Sequence, residues 1–403
     1  MYKISNFYSN QYFKSKKFKK NLKETKSSFK ELKLDLKKNK PSFFESYQKK
    51  YKLNFKNSTI KKYSKYKNII IIGMGGSILG TKSIYSFFKK KIKKKVFFFD
   101  NLDIHLHEKF SEIKNIQNSC IIVISKSGET LETISNFGAI FKKISVKNKL
   151  IFITENKNNS LRRIANQFDS EIIEHKKNIG GRFSVLSESS MLPAQLMNLK
   201  VNNFRNLDKL ITNKKFVDSL IDSVACIYTL NQIGMNNSVI LNYDSSLNDL
   251  GSWYQQLVAE SLGKKGKGIN PILSFGPMDH HSLLQNYLDG PKDKFFTFFT
   301  SSENNKSYKI SPTVFTDKIK FLNSMTLSHI ISSQTLATKN VFKSKNIPLR
   351  HILFNKKNEE ELGSIFTFLV LETILLARLM NIDPLNQPSV EQVKVETKKI
   401  LLS

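Results

Sequence analysis

Two stretches of this chain gather glycines, hydroxyls and a helix start at one point, an arrangement suited to holding an anion. In Ser125-Lys126-Ser127-Gly128-Glu129-Thr130, three hydroxyls and one glycine follow the apolar run Cys120–Ile124. Neutral hydroxyls and free backbone N–H groups at a helix N-terminus are donors that fit a tetrahedral anion such as phosphate. The same serines could instead be helix caps that need no ligand. Glu129 suits the positive end of a helix dipole, but its charge repels a phosphate unless it points away. In Ile69–Gly80, IIIIGMGGSILG, four β-branched residues run into Gly73-Met74-Gly75-Gly76-Ser77 before an apolar-periodic segment resumes. That order predicts a buried parallel strand, a turn and a helix N-terminus. The spacing GxGGS is neither GxGxxGK[ST] nor a clean GxGxxG, which speaks against a nucleotide. A tight turn needing glycine only for its geometry is the alternative.

Other residues could act on a group held there. Arg182 stands behind Gly180-Gly181, on backbone free enough to aim a guanidinium at a developing oxyanion or a sugar oxygen, or to form a plain surface turn. Glu260, in QQLVAESLGK, lies near the end of a helix whose Leu250, Trp253, Leu257 and Val258 face the core. A partly desolvated carboxylate there could be a general base, or an exposed helix-end glutamate without a task. Adjacent His280 and His281 in GPMDHH invite a metal. Neighbours at i, i+1 rarely chelate one ion, however, and no HExxH accompanies them, so no metal is expected. In NQPSVEQVK, a loop and helix start could swing Lys394 into a site.

The elements that must position these residues alternate. Strands are predicted at Ile69–Ile72, Val96–Asp100, Cys120–Ser125 and Leu150–Thr154, with helices over Ser77–Phe88, Glu129–Lys143 and Ser160–Phe168. The rhythm restarts with helices Phe216–Gly234, Leu247–Ser261, Lys320–Lys339 and Glu359–Asn381 around strands Ser238–Asn242, Phe295–Thr300 and Leu349–Phe354. Such alternation implies an α/β protein with two doubly wound parallel-sheet domains. The expected boundaries are an N-terminal helical segment (1–65), domains over 66–200 and 201–383, and a C-terminal tail helix (384–403) carrying Lys394. In open α/β sheets ligands gather beyond the carboxyl ends of the strands, which selects the loops singled out above.

Bulk properties narrow the classes. The 403 residues suffice for two cores, and 40% hydrophobic residues fit a folded chain. A net charge of +32 suggests nucleic acid, yet only six of the 65 basic residues are Arg and the rest are Lys. Nucleic-acid interfaces lean on the bidentate Arg fork, so a solvated lysine surface is expected instead. Two cysteines outside any metal spacing argue for a reducing, cytoplasmic setting. No apolar signal segment is evident at the N-terminus. The apolar stretch Ile365–Met380 carries Glu372 and Arg378 and reads as a buried helix rather than a membrane span.

Taken in order, the six motifs resemble the glucose-6-phosphate isomerase family, whose core is a pair of sugar-isomerase (SIS) domains. The likeness runs from about Tyr66 to Lys394. GMGGSILG looks like the family's GIGGSxLGP, SKSGETLET like SKxxxTxET, and GGRFSVLS like GGRYSVxS. QQLVAESLGK is similar to QxxxESxGK, GPMDHHSLLQ to GxxxQHSxxQ, and NQPSVEQVK to DQPGVExxK. The resemblance implies reversible aldose–ketose isomerisation of glucose 6-phosphate and fructose 6-phosphate through a cis-enediolate, a step of glycolysis and gluconeogenesis, with no cofactor. It implies that Gly76, Ser77, Ser125, Lys126 through its backbone, Ser127 and Thr130 hold the sugar phosphate. Glu260 would be the base between C2 and C1, and Arg182 would stabilise the enediolate. His281 and Lys394 would serve ring opening, while Gln256 and Gln387 position hydroxyls. It further implies a homodimer in which His281 crosses to the neighbouring subunit's site.

Some positions depart from the family's pattern. Asp279-His280 replaces Gly-Gln before the histidine, so either histidine could work, with register favouring His281. Asn386 and Ser389 replace Asp and Gly. Gly128-Glu129 replaces the bulkier Phe-Thr of the larger enzymes, a change expected to widen the site. Two other functions fit the residues less fully. One is a non-catalytic SIS sensor of sugar phosphates, which has no reason to keep Glu260, His281 and Lys394 together. The other is an isomerase that also accepts mannose 6-phosphate.

Overall fold

A computed structural model of the chain describes residues 3–8, 12–141, 149–302, 308–311 and 317–403. Among the described residues, ten strands form two five-stranded sheets. They are β1 (Lys3–Tyr8), β2 (Asn68–Gly73), β3 (Lys95–Phe99), β4 (Ser119–Ile124) and β5 (Leu150–Thr154). The others are β6 (Glu171–Glu174), β7 (Asn237–Asn242), β8 (Asn270–Phe275), β9 (Lys294–Ser301) and β10 (Leu349–Phe354). The first sheet has the order β3-β2-β4-β5-β6 and is parallel throughout. Every residue of β2, β4 and β5 is buried, as expected for strands covered by helices on both faces.

The second sheet has the order β1-β10-β9-β7-β8, parallel except for β1, which pairs antiparallel with β10. The 1–65 segment is therefore mostly helical, as expected, but opens with a strand that the lysine-rich sequence hides. Two further strands escaped the pattern reading. β6 is only Glu-Ile-Ile-Glu, and β8 contains Pro271, which fits an edge strand with a free flank for the residue that lacks an N–H.

Helix boundaries also shift. The helix expected from Ser77 starts at Leu79, because Gly75–Ser77 tightens into a 3₁₀ turn. The one expected over Glu129–Lys143 spans Leu131–Phe141, and its expected last two residues lie outside the described ones. The helix expected over Lys320–Lys339 runs over Leu327–Ser344, capped by the Thr326 hydroxyl on the His329 N–H.

The two domains meet where the helices Leu79–Phe88 and Asn248–Leu262 pack together. Lys82 reaches Asp100 of its own domain at 2.6 Å and Asp249 across the junction at 3.7 Å. The helix Glu359–Met380 is apolar enough to cross a membrane by length and composition, yet 89% of its most apolar window is buried in the protein. It is a core helix. Its Glu372 is fully buried beside Arg350 of β10, with Arg350 Nη2 3.0 Å from Glu372 Oε1. Tyr254 and Ser223 each donate a hydroxyl to the same carboxylate at 2.8 Å. Breaking a buried, fully hydrogen-bonded pair from one side strands the other charge, which costs about 3–5 kcal/mol. Glu372→Leu should lower the denaturant midpoint accordingly. Arg350→Met/Glu372→Leu should recover most of the loss, because both charges then leave together.

Three of the six arginines, Arg182, Arg205 and Arg350, are buried. The surface cations are overwhelmingly lysines.

Candidate active site

The site is assembled where the two glycine-rich turns, one helix end and the chain's C-terminal loop converge. Gly73 of β2 pairs in register with Ile124 of β4, so the loops after these adjacent strands emerge side by side. The turn after β2 then meets the turn Gly181–Leu186. A Cβ on Gly76 would lie 2.2 Å from the carbonyl carbon of Gly181, so only glycine admits this approach. Ser184, inside that second turn, donates to the Gly76 carbonyl at 3.2 Å and locks the two together.

This contact sets Arg182, only 4% exposed, against the end of the helix Asn248–Leu262. Its Nη1 lies 3.0 Å from Glu260 Oε2 and its Nε 3.0 Å from Ser261 Oγ. The same guanidinium donates to the side chain of Gln387 and to the carbonyls of Pro384 and, at 3.3 Å, Asn386. Burial lowers its basicity and Glu260 opposes that, so it remains a cation held by fixed acceptors. The other oxygen of Glu260 accepts from Gln256 Nε2 at 2.7 Å. Both carboxylate oxygens are thus gripped from opposite sides while the side chain stays 27% exposed. Leu250, Trp253, Leu257 and Val258 are all buried, as the periodicity predicted, and fix the helix that presents it. Gln256 Oε1 is buried without a hydrogen-bond partner.

Lys264, two residues past this helix, donates to Ser261 O at 2.8 Å and Asp383 O at 2.7 Å, tying the C-terminal loop to the site. Burial, then repulsion from Arg182, pushes its ammonium down to about 8.

The hydroxyl loop is built beside this cluster. Ser125 Oγ lies 2.8 Å from Thr130 Oγ1 and accepts the Gly128 N–H at 3.1 Å, while Ser127 Oγ accepts the Glu129 N–H at 3.2 Å. The serines therefore shape the loop itself rather than cap the helix Leu131–Phe141. Glu129 does point away: both its oxygens bind Ser160, through the N–H and the hydroxyl, each at 2.7 Å. Gly128 has φ of +72°, and a Cβ there would lie 2.1 Å from Asn159 Oδ1. The space expected to widen the site is filled by the Asn159 amide instead. Lys126 turns outward to Lys177 O at 2.8 Å and pairs with Glu155 at 3.6 Å, which leaves its backbone to the loop. His175 nearby is pushed down to about 4 by burial and stays neutral.

Two expected residues stand apart. His281 is exposed at the end of the turn Met278–His281. Asp279 pins that turn, accepting from Ser274 Oγ at 2.7 Å, Phe275 N at 2.6 Å and Ser282 Oγ at 3.0 Å. His280 is occupied inside its own domain, 2.7 Å from the Tyr243 hydroxyl and 3.3 Å from Thr338. Lys394 sits on the exposed helix Pro388–Leu402 and pairs with Glu391 at 2.6 Å, three residues away. Ser77, half-buried in its turn, makes no side-chain hydrogen bond among the described residues. Ser184, Ser261, Lys264 and Asn159 were missed in the sequence, although the first three lie within the quoted motifs. Among the described residues no cluster of His, Cys, Asp or Glu could hold a metal ion.

Paired parallel sheets with a hydroxyl loop on one, and a gripped carboxylate beside it, define a double sugar-isomerase-domain protein. A sequence model described as phosphoglucose isomerase matches residues 42–275. A glucose-6-phosphate isomerase from Methanocaldococcus jannaschii is 35% identical over 345 residues, covering 83% of this chain and 84% of the relative. One from Campylobacter jejuni is 29% identical over 353 residues, covering 84% and 86%. The chain belongs to the phosphoglucose isomerase family. Two solved structures share the fold. A hypothetical protein from Thermus thermophilus matches over the whole of both chains with a TM-score of 0.85 and 20% identity. A glucose-6-phosphate isomerase from Chlamydia trachomatis matches 85% of this chain and 71% of its own with a TM-score of 0.72 and 18% identity.

Proposed function

We propose that this chain interconverts glucose 6-phosphate and fructose 6-phosphate by moving a proton between C2 and C1, with Glu260 as the base. The observation that carries the assignment of roles is the grip on Glu260 by Arg182 and Gln256. Moving a proton between adjacent carbons requires one base that reaches both and a positive charge for the oxygens of the enediolate. A carboxylate fixed at both oxygens cannot swing away between the two transfers. The Arg182 guanidinium, already adjacent and aligned, offsets the charge that builds on the substrate. Gln256 stands next to the base and is assigned to position a sugar hydroxyl. Gln387, on the C-terminal loop, shares the same guanidinium and is suited to a second hydroxyl.

The substrate's phosphate is assigned to Ser125, Ser127, Thr130, the backbone at Lys126, and the turn Gly76-Ser77. The internally bonded hydroxyls are pre-positioned, and Glu129 is turned out of the way. Ring opening is assigned to His281 and Lys394. The exposure of His281, on a turn pinned by Asp279, suits delivery to the site of a second copy in a homodimer. His280 is already bonded within its own domain and is unsuited to that role. A role in glycolysis and gluconeogenesis, and a cytoplasmic setting consistent with the two buried unpaired cysteines, follow the same reading. A sugar-phosphate sensor would leave the Arg182–Glu260–Gln256 arrangement without a purpose.

The test is a coupled assay of the purified chain with fructose 6-phosphate, glucose 6-phosphate, mannose 6-phosphate and unphosphorylated fructose. Turnover of the first two is expected; its absence overturns the reading. Each neutral hydrogen bond to phosphate contributes about 1 kcal/mol, so single alanines at Ser125, Ser127 or Thr130 should raise KM about fivefold and the triple change about a hundredfold. Fructose handled as well as its phosphate would refute the loop assignment.

A further inference from the structure

The two sheets share one winding order, and the second repeats the position that holds the hydroxyl loop in the first. The chain changes winding direction between β2 and β4 in the first sheet and between β7 and β9 in the second. Ligands in open α/β sheets gather beyond the strand ends at such a point. Beyond the ends of β7, β9 and β10 lies a cavity of about 510 Å³. Thr300 and Ser301 at the end of β9, His351 of β10, and Ser332 and Lys339 on the helix Leu327–Ser344 line it.

Its charges are unbalanced toward anions. Asp244, the acidic residue among those lining the cavity, is already satisfied. Lys357 lies 3.2 Å away, Ser246 donates through its N–H at 2.9 Å and its hydroxyl at 2.8 Å, and Ser301 donates as well. Lys339 has no such partner. Its Nζ sits 3.1 Å from His351 Nδ1, and among the described residues no carboxylate forms an ion pair with it. Burial chiefly, then repulsion from Lys343 and Lys3, lowers its basicity, and His351 is pushed down to about 4 by burial, Lys339 and Lys3. His351 Nε2 meets Thr300 Oγ1 at 2.6 Å, which fixes the ring. A half-buried ammonium, Lys339, with no carboxylate paired to it and hydroxyl donors beside it, is relieved by an anion. The volume exceeds what an inorganic ion fills and falls in the range of small-molecule sites.

We propose that this cavity is a second ligand site, separate from the catalytic one, that takes the phosphoryl group of a small phosphorylated metabolite. Lys339 would supply the charge and Ser332 a hydroxyl, with the rest of the metabolite lying toward Asp244 and Lys357.

The test uses sorbitol 6-phosphate, which has no carbonyl and cannot turn over, in calorimetric titrations of the full chain. Two molecules per chain are expected. Ser125→Ala/Ser127→Ala/Thr130→Ala should remove one binding event and leave the other. Lys339→Gln should weaken the second event at least tenfold while the KM for fructose 6-phosphate stays within twofold. Ser332→Phe, which fills the cavity from an exposed helix position, should do the same if Lys339→Gln proves unstable by thermal melting. Inorganic phosphate should compete at the second site. One molecule per chain in the wild type, two that survive both cavity variants, or glucose binding there as tightly as the ester would each overturn the proposal.

Discussion

Glu260→Gln is expected to lower kcat by about 10²–10⁴-fold, the range a positioned base contributes, with KM moving less than about threefold. The amide keeps the shape: its oxygen can accept from Arg182 and its NH2 can donate to the Gln256 oxygen once that amide turns over, but it cannot accept the C2 proton. Arg182 retains Ser261, Gln387 and two carbonyls as acceptors, so the fold should melt within a few degrees of the wild type. The decisive measurement is exchange of the C2 proton with solvent deuterium, followed by NMR. Exchange should vanish together with isomerisation. Exchange that persists in the variant at more than a few per cent would assign the proton to another group.

Restored activity in a mixed dimer is the second large effect. If His281 acts in the neighbouring copy's site, His281→Ala and Glu260→Gln are each strongly impaired alone, yet complement each other. In the mixed dimer one site carries both defects while the other combines an intact glutamate from one chain with an intact histidine from its partner. Refolding equal amounts together makes half the dimers mixed, so about a quarter of the wild-type activity should return. A mixture as inactive as its parents, with mixed dimers verified by mass, would place His281 in its own chain's chemistry or outside it.

Much of the architecture was legible because its cause is local. β2, β4 and β5 are continuous apolar runs, the mark of strands covered on both faces, and the glycines that end β2 mark a close backbone approach. Glu260 and Arg182 could be nominated from composition and motif order, but nothing in the sequence indicates that Ser261, Gln387 and two carbonyls would converge on one guanidinium. Those contacts join residues roughly 80 to 200 positions apart, and only the packing of the two domains brings them together. The strands β1, β6 and β8 were hidden for another reason. Each lies at a sheet edge, where one flank meets solvent and lysine, glutamate or proline is tolerated, so the apolar signal fades. The Asp279-His280 departure also finds its reason only in three dimensions: one residue pins a turn and the other binds Tyr243, leaving the next histidine to face outward.

The pairing of β1 with β10 joins Lys3 to Leu353 and Ile4 to Ile352. β1 thus waits for a partner about 350 residues further along the chain. Until then β10's neighbour is an unpaired strand on a nascent chain, and the second sheet lacks its rim. Cutting the polypeptide near residue 200 should therefore not release two independent modules. The downstream fragment would carry an open, apolar edge ready to pair with any extended chain, and adding back a peptide spanning residues 1–65 should restore its solubility. The second sheet is therefore finished only when β10 captures a strand that precedes the whole of the first sheet in the chain.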